Sequence, residues 1–200
     1  MKNKTVVGFS ALTFGILFAI LVQPFALATQ LGKTPVTKVN VNDTYSMNIP
    51  TYMVSDSSLN DESSLHYGNN EKELYIIVID EPIKDFVDVF KERGQYDTTK
   101  TPLENYADAQ MESIISNLDT LISVSPLRKA KLGKTKNKAE NALISDVVCT
   151  QQGIDERMSF TIGFVEGKVN LYMIMTWTLT SRWALYEKDM NNMVLSFREY

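Results

Sequence analysis

The sequence predicts an α+β fold in which an antiparallel sheet carries helices packed on both faces, an α/β/α sandwich. Three observations lead there. Apolar residues recur with period two before residue 80 and again after 120, whereas 82–118 and 181–197 carry them at helical spacing. The run Leu74 to Ile79 is apolar on both faces, as in a strand inside a sheet that is covered on both sides. Strands, an inserted pair of helices, more strands and a closing helix then set the helices in two layers.

The first 28 residues read as an address and not as fold. Lys2 and Lys4 precede an uncharged apolar stretch from Val6 to Val22, Pro24 breaks it, and Ala26 and Ala28 stand two apart before Thr29. This is the n-, h- and c-region order of a secretory signal peptide ending in an A-x-A cleavage site. Val6 to Val22 also sits at the lower limit of the roughly 17–25 residues that span hydrocarbon, so an uncleaved anchor is the alternative. With cleavage, the chain is exported to a periplasmic or extracellular space and keeps no stable membrane span. The signal segment holds no cysteine that could carry a lipid anchor.

Cleavage after Ala28 leaves 18 Lys and Arg against 24 Asp and Glu, a formal charge of −6. That balance excludes a general nucleic-acid binder, which needs a net basic face to displace counterions from phosphate. A chain of this length suits one domain that buries roughly 70% of its unfolded surface. Cys149 is the only cysteine, so no disulfide forms within the chain and stability rests on packing. It stands in the strand-like run LISDVVCTQQ, where a small buried hydrophobe is expected.

A polar linker over 29–38 precedes a single domain over 39–200. Val39, Val41, Tyr45, Met47 and Ile49 alternate around Asn42-Asp43, which tolerates positive φ, so a hairpin opens the domain. Pro50 closes it, 55–64 is a solvated loop, SLHYGNN is a short strand ending in a turn, and ELYIIVIDEP is the buried strand. Ile83, Phe86, Val87 and Phe90 then recur at helical spacing up to Gly94. Thr101-Pro102-Leu103-Glu104 has the spacing of a capping box with proline at the first helical position. Leu103, Ala107, Met111, Ile114 and Leu118 form the inner stripe of that second helix.

From residue 120 the pattern reads as four strands, with turns at Gln152-Gly153 and Glu166-Gly167. Met158, Phe160, Ile162 and Phe164 share one face of the third, and Leu171, Met173, Met175, Trp177 and Leu179 one face of the last. Ser181 is placed to cap a closing helix whose stripe is Trp183, Tyr186, Met190, Met193, Val194 and Phe197.

The wording of several segments resembles the PsbP-like superfamily, which includes the Ran-binding Mog proteins and bacterial envelope proteins. The segments are YSMNIPTYM, ELYIIVIDEP followed by paired helices, GKVNLYMIMTWT and MNNMVLSFRE, together covering roughly residues 39–198. The resemblance implies the sandwich fold and a non-catalytic adaptor that docks on a larger partner. Tyr52 departs from the tryptophan of many relatives, and no partner-contact motif carries across residue by residue. These are core and turn residues, and fold is a weak guide to role.

Chemistry-bearing residues are sparse. Asp80 and Glu81 form a carboxylate pair at the end of the buried strand; with Pro82 at the first helical position they read as a strand stop and helix start, the acids favouring the helix N-terminus. His66 is the only histidine, and any Ser-His or Cys-His system would have to use it as base. Zinc needs three or four clustered ligands, which are lacking; Asp56, Asp61 and Glu62 could ligate a hard cation but lack an EF-hand ladder. No cofactor, metal site or catalytic set is expected.

The strongest local charge feature is Arg128, Lys129, Lys131, Lys134, Lys136 and Lys138. It is either a patch for an anionic partner or a row of edge cations that blocks strand-to-strand aggregation. Tyr172, Trp177, Trp183 and Tyr186 are the candidates for lining a ligand pocket, although Tyr172 falls on the strand face opposite Trp177. The expectation is a non-enzymatic accessory or protein-interaction module whose partner is another envelope protein. The alternative is a small-molecule or lipid-binding protein with an apolar pocket of roughly 300 Å³ or more.

Overall fold

A computed structural model describes residues 34–132 and 141–200. Its strands are β1 (Val36–Val41), β2 (Tyr45–Pro50), β3 (Val54–Ser55), β4 (Leu65–Asn69), β5 (Leu74–Pro82), β6 (Thr120–Val124), β7 (Arg128–Lys131), β8 (Asn141–Gln151), β9 (Ile154–Glu166), β10 (Asn170–Leu179) and β11 (Arg198–Glu199). Its helices are α1 (Ile83–Glu92), α2 (Pro102–Ser116) and α3 (Trp183–Leu195). A large antiparallel sheet runs in the order β3-β4-β5-β10-β9-β8-β6, with β7 also pairing β8. A second, small sheet runs in the order β1-β2-β11 and is not hydrogen-bonded into the large one among the described residues.

The large sheet is covered on both faces. On one side Tyr75, Ile77, Phe160, Ile162, Phe164, Met173, Met175 and Trp177 pack with Phe86 of α1 and with Leu103, Tyr106, Ala107 and Met111 of α2. On the other, Leu74, Ile76, Val78, Ile144, Val165, Tyr172 and Ile174 pack with Met190, Met193 and Val194 of α3, and with Tyr45, Met47 and Ile49 of β2. The α+β sandwich expected from the sequence is the observed architecture. Alternation along β5 and β10 delivers successive side chains to the two cores, which is why both strands are apolar on both faces.

Local chemistry accounts for most boundaries. Asn42 and Asp43 both adopt positive φ, 46° and 55°, and Thr44 N donates to Val41 O at 2.8 Å, as a tight hairpin requires. Thr101 accepts from the Glu104 amide while the Glu104 carboxylate accepts from the Thr101 amide, completing the capping box with Pro102 behind it. Gly94, at φ 67°, follows α1.

Several boundaries differ from the sequence expectation. Strand β5 does not stop at Asp80: it pairs with β10 through Asp80↔Tyr172, Glu81↔Leu171 and Pro82↔Asn170. Helix α1 therefore begins at Ile83, with Pro82 as a cap residue that makes no side-chain hydrogen bond. Because β4 reaches only Val78, the end of β5 pairs with no described strand on that side, where a proline removes no ladder bond. Between residues 120 and 179 the described residues hold five strands where the sequence reading had four, because β6 and β7, separated by Ser125–Leu127, lie end to end along β8. Ser181 caps nothing: its hydroxyl donates to Glu156 at 2.7 Å, and a 3-10 turn at Thr180–Arg182 leads into α3. Strand β1 begins inside the segment read as linker, since Val36 and Thr37 pair with Pro50 and Ile49.

Candidate functional site

Neighbouring residues on a strand point to opposite faces, so Asp80 and Glu81 cannot converge on one substrate atom. Asp80 is exposed and accepts from Asn170 Nδ2 at 3.3 Å. Glu81 turns toward the face of α1 and α2, where burial and the nearby Asp85 push its carboxyl above the usual carboxylate range. The pair is part of an extended strand, not a general-acid couple.

His66 does meet a serine. Its Nδ1 lies 3.0 Å from Ser63 Oγ, a contact that the S-x-x-H spacing allowed but did not announce. The Ser63 hydroxyl has one proton and places it on Asn60 O at 2.7 Å, so the imidazole is not accepting from it as a nucleophile's base would. No carboxylate among the described residues hydrogen-bonds the ring to complete a triad. Cys149 is fully buried against the α1–α2 face, and burial pushes its thiol up to about 11, away from thiolate chemistry. Among the described residues no group of three or more His, Cys, Asp or Glu side chains is disposed to hold a metal. Asp56 instead closes a local turn, its Oδ1 accepting from the Ser58 amide at 3.1 Å and hydroxyl at 2.6 Å.

The basic run is divided. Strand β7 presents Arg128, Lys129 and Lys131, all exposed, along the outer edge of β8. Arg128 is paired with Asp146 at 2.8 Å, which leaves Lys129 and Lys131 as the cations β7 offers outward. Lys134, Lys136 and Lys138 lie outside the described residues.

The late aromatics do not form one group. Tyr172 packs with Tyr45 and Phe197, ring centroids 5.4 and 4.8 Å away, in the core beneath α3. Trp183 and Tyr186 are half-buried at the same core. Trp177 stands on the other side of the sheet, stacked on Tyr75 and Phe160. A full sheet thickness separates it from the other three, so the four line no common cavity.

Among the described residues a cleft lies elsewhere. The β1–β2 hairpin and α3 leave a surface cleft of about 300 Å³, lined by Thr34, Val36, Asn48, Asp189, Asn192 and Ser196 among others. Asp189, only 8% exposed, is its buried charge. Its Oδ2 accepts from the Tyr52 hydroxyl at 2.8 Å and from Thr34 Oγ1 at 3.0 Å. Burial and this carboxylate together hold the Tyr52 phenol well above its usual range. The sequence carried one sign of this: Asp189 falls three residues after Tyr186 and beside Met190, on the stripe that α3 turns inward. A charge on an inner stripe requires a buried partner, but Tyr52 stands 137 residues away and nothing local points to it.

No family model matches the chain, and no curated protein matches it. Solved structures do. The PsbP protein of the cyanobacterium Synechocystis is 12% identical, with 89% of this chain and 100% of that chain covered at a TM-score of 0.49. The Ran-binding protein Mog1p of Saccharomyces cerevisiae is 10% identical, with 83% and 96% covered at 0.46. LpqN of Mycobacterium tuberculosis, described as involved in cell envelope biogenesis, is 12% identical, with 84% and 92% covered at 0.46. The solved chains to which this one is similar thus include PsbP-type and Mog-type proteins.

Proposed function

We propose that the chain is an exported, non-enzymatic accessory module of a bacterial envelope, and that it works by docking on another envelope protein. The observation that supports this reading is the placement of β7. An acidic chain, formal charge −4 over its whole length, sets Lys129 and Lys131 side by side on an exposed sheet edge, where an acidic surface of a partner would meet them. Among the described residues, His66 is engaged with Ser63, Cys149 lies in the core, and Asp189 accepts from two hydroxyls.

Crosslinking in the intact envelope, followed by identification of the attached protein, tests the proposal. One envelope protein captured by the native chain, and lost with Lys129→Glu and Lys131→Glu while the melting temperature is unchanged, is the expected result. Identical capture by the charge-reversed chain would remove the basic edge from the account. A second reading, small-molecule binding, is favoured by the cleft beside Asp189. Native mass spectrometry that finds a bound compound, released on Tyr52→Phe, would move the function there.

A further inference from the structure

Exposed apolar side chains are scattered singly over most of the surface, as Val36, Val54, Val169 and Leu185 are. Strand β6 is different. All five of its residues, Thr120 to Val124, are exposed, and within them Leu121, Ile122 and Val124 are 37%, 40% and 40% open to solvent. The segment TLISV holds no charge, no proline and no glycine, and three of its residues are β-branched. It pairs with β8 on one side, and among the described residues no strand pairs with its other side.

Free sheet edges are ordinarily guarded by charge, proline or covering structure. The outer edge beside β8 is guarded over only half its length. Its β7 half carries Arg128, Lys129 and Lys131, whereas its β6 half has only the register shift between Leu121 and Ser123. That shift adds twist and limits any new ladder to a few residues.

We propose that β6 is a self-association edge, pairing antiparallel with β6 of a second copy of this chain about a twofold axis at Ile122. Charge selects both the occupant and the direction. Exposed Asp119 stands just before β6, and Lys129 and Lys131 of β7 follow it, Arg128 being paired with Asp146. Antiparallel pairing brings the acidic end of each strand toward the basic end of the other, while parallel pairing would align like with like. A twofold contact needs only one self-complementary patch, and β6 has one apolar centre between opposite charges. This inference shares the β7 cations with the docking role above but places the contact itself on β6, so substitutions at Ile122 and Val124 separate the two.

Sedimentation velocity of the purified protein over a range of concentrations reads the outcome. The native chain should pass from one-chain to two-chain mass. Ile122→Lys with Val124→Lys, which sets like charges across the axis, should weaken the dissociation constant roughly tenfold or more. Should that variant fail to fold, Ile122→Cys gives an independent reading, because Cys149 is buried and the new thiol faces its own copy across the axis. Oxidation should yield a reducible two-chain product, and Val169→Cys, exposed on the β9–β10 loop, should yield none. A native chain that stays single at its solubility limit, or a folded Ile122→Cys chain that forms no such product or links only to a different protein, overturns the proposal.

Discussion

The phenol of Tyr52 and the carboxylate of Asp189, 137 residues apart in sequence, meet at 2.8 Å where the end of the β1–β2 hairpin crosses α3. This hydrogen bond ties the small sheet to the helix that covers the large one. Without it, Asp189 would keep only Thr34 Oγ1 as a hydroxyl partner for a buried charge.

Replacing Tyr52 with Phe should therefore cost about 1.5–3 kcal/mol, the range for a hydrogen bond to a charged group. Urea unfolding should show a lower midpoint with an unchanged slope. An unchanged midpoint would mean that water replaces the phenol without loss.

Gly163 of β9 lies directly under Val194 of α3. A Cβ built on Gly163 would fall inside the van der Waals envelope of Val194 Cγ1, so the missing side chain sets how closely helix and sheet approach. Gly163→Ala should destabilise by about 1–3 kcal/mol, since a β-branched valine has little rotamer freedom with which to yield. Adding Val194→Ala should recover part of that loss, and a strictly additive double variant would argue against the contact.

Glu81 is raised above its ordinary carboxylate range, first by burial and then by Asp85. A raised acid favours the fold in its protonated form, so its contribution is fully present below about pH 4.3 and is lost as pH climbs through the folded value. Glu81→Gln should thus stabilise at neutral pH, by roughly 1 kcal/mol or less given its partial exposure. The advantage should shrink toward zero at acid pH. Denaturation of both chains at pH 4 and pH 7 checks the sign.

Tyr45, Tyr52, Tyr75, Tyr106 and Tyr172 are all raised, in each case chiefly by burial. Below about pH 10 they are protonated in both folded and unfolded chains and contribute no pH dependence; above it the unfolded chain loses protons that the fold retains. Stability should fall steeply from that pH upward. Ultraviolet titration should show these phenols ionising only together with loss of near-ultraviolet circular dichroism. Smooth ionisation in the folded state would contradict their burial.

Much of the fold could be read in advance because its signals are local. Asn42-Asp43 adopts the positive φ that a tight hairpin needs, Thr101 and Glu104 complete their capping box, and Cys149 is buried in its strand. Alternation put Tyr172 and Trp177 on opposite faces, and they face opposite cores. The end of β5 was misread for a physical reason. Asp80-Glu81-Pro82 is a plausible stop by propensity, but the strand continues because β10 is long enough to pair with it through Asn170. Four strands became five because β6 and β7 share one neighbour, and that sharing is a property of the sheet.

Periodicity, turn chemistry and caps, read from the sequence by itself, determined the α+β class, most of the elements, and which face of each is buried. These depend on residues within a turn or two of one another, where spacing alone dictates which side chains share a face. Only the tertiary structure decided that Tyr52 and Thr34 satisfy Asp189, that Ser63 lies beside His66 while donating to Asn60 O, that a sheet divides the late aromatics, and that among the described residues TLISV stands at a sheet edge. Each of these depends on strand order and on hydrogen-bond partners that packing brings together across the fold, and spacing along one element carries no record of them.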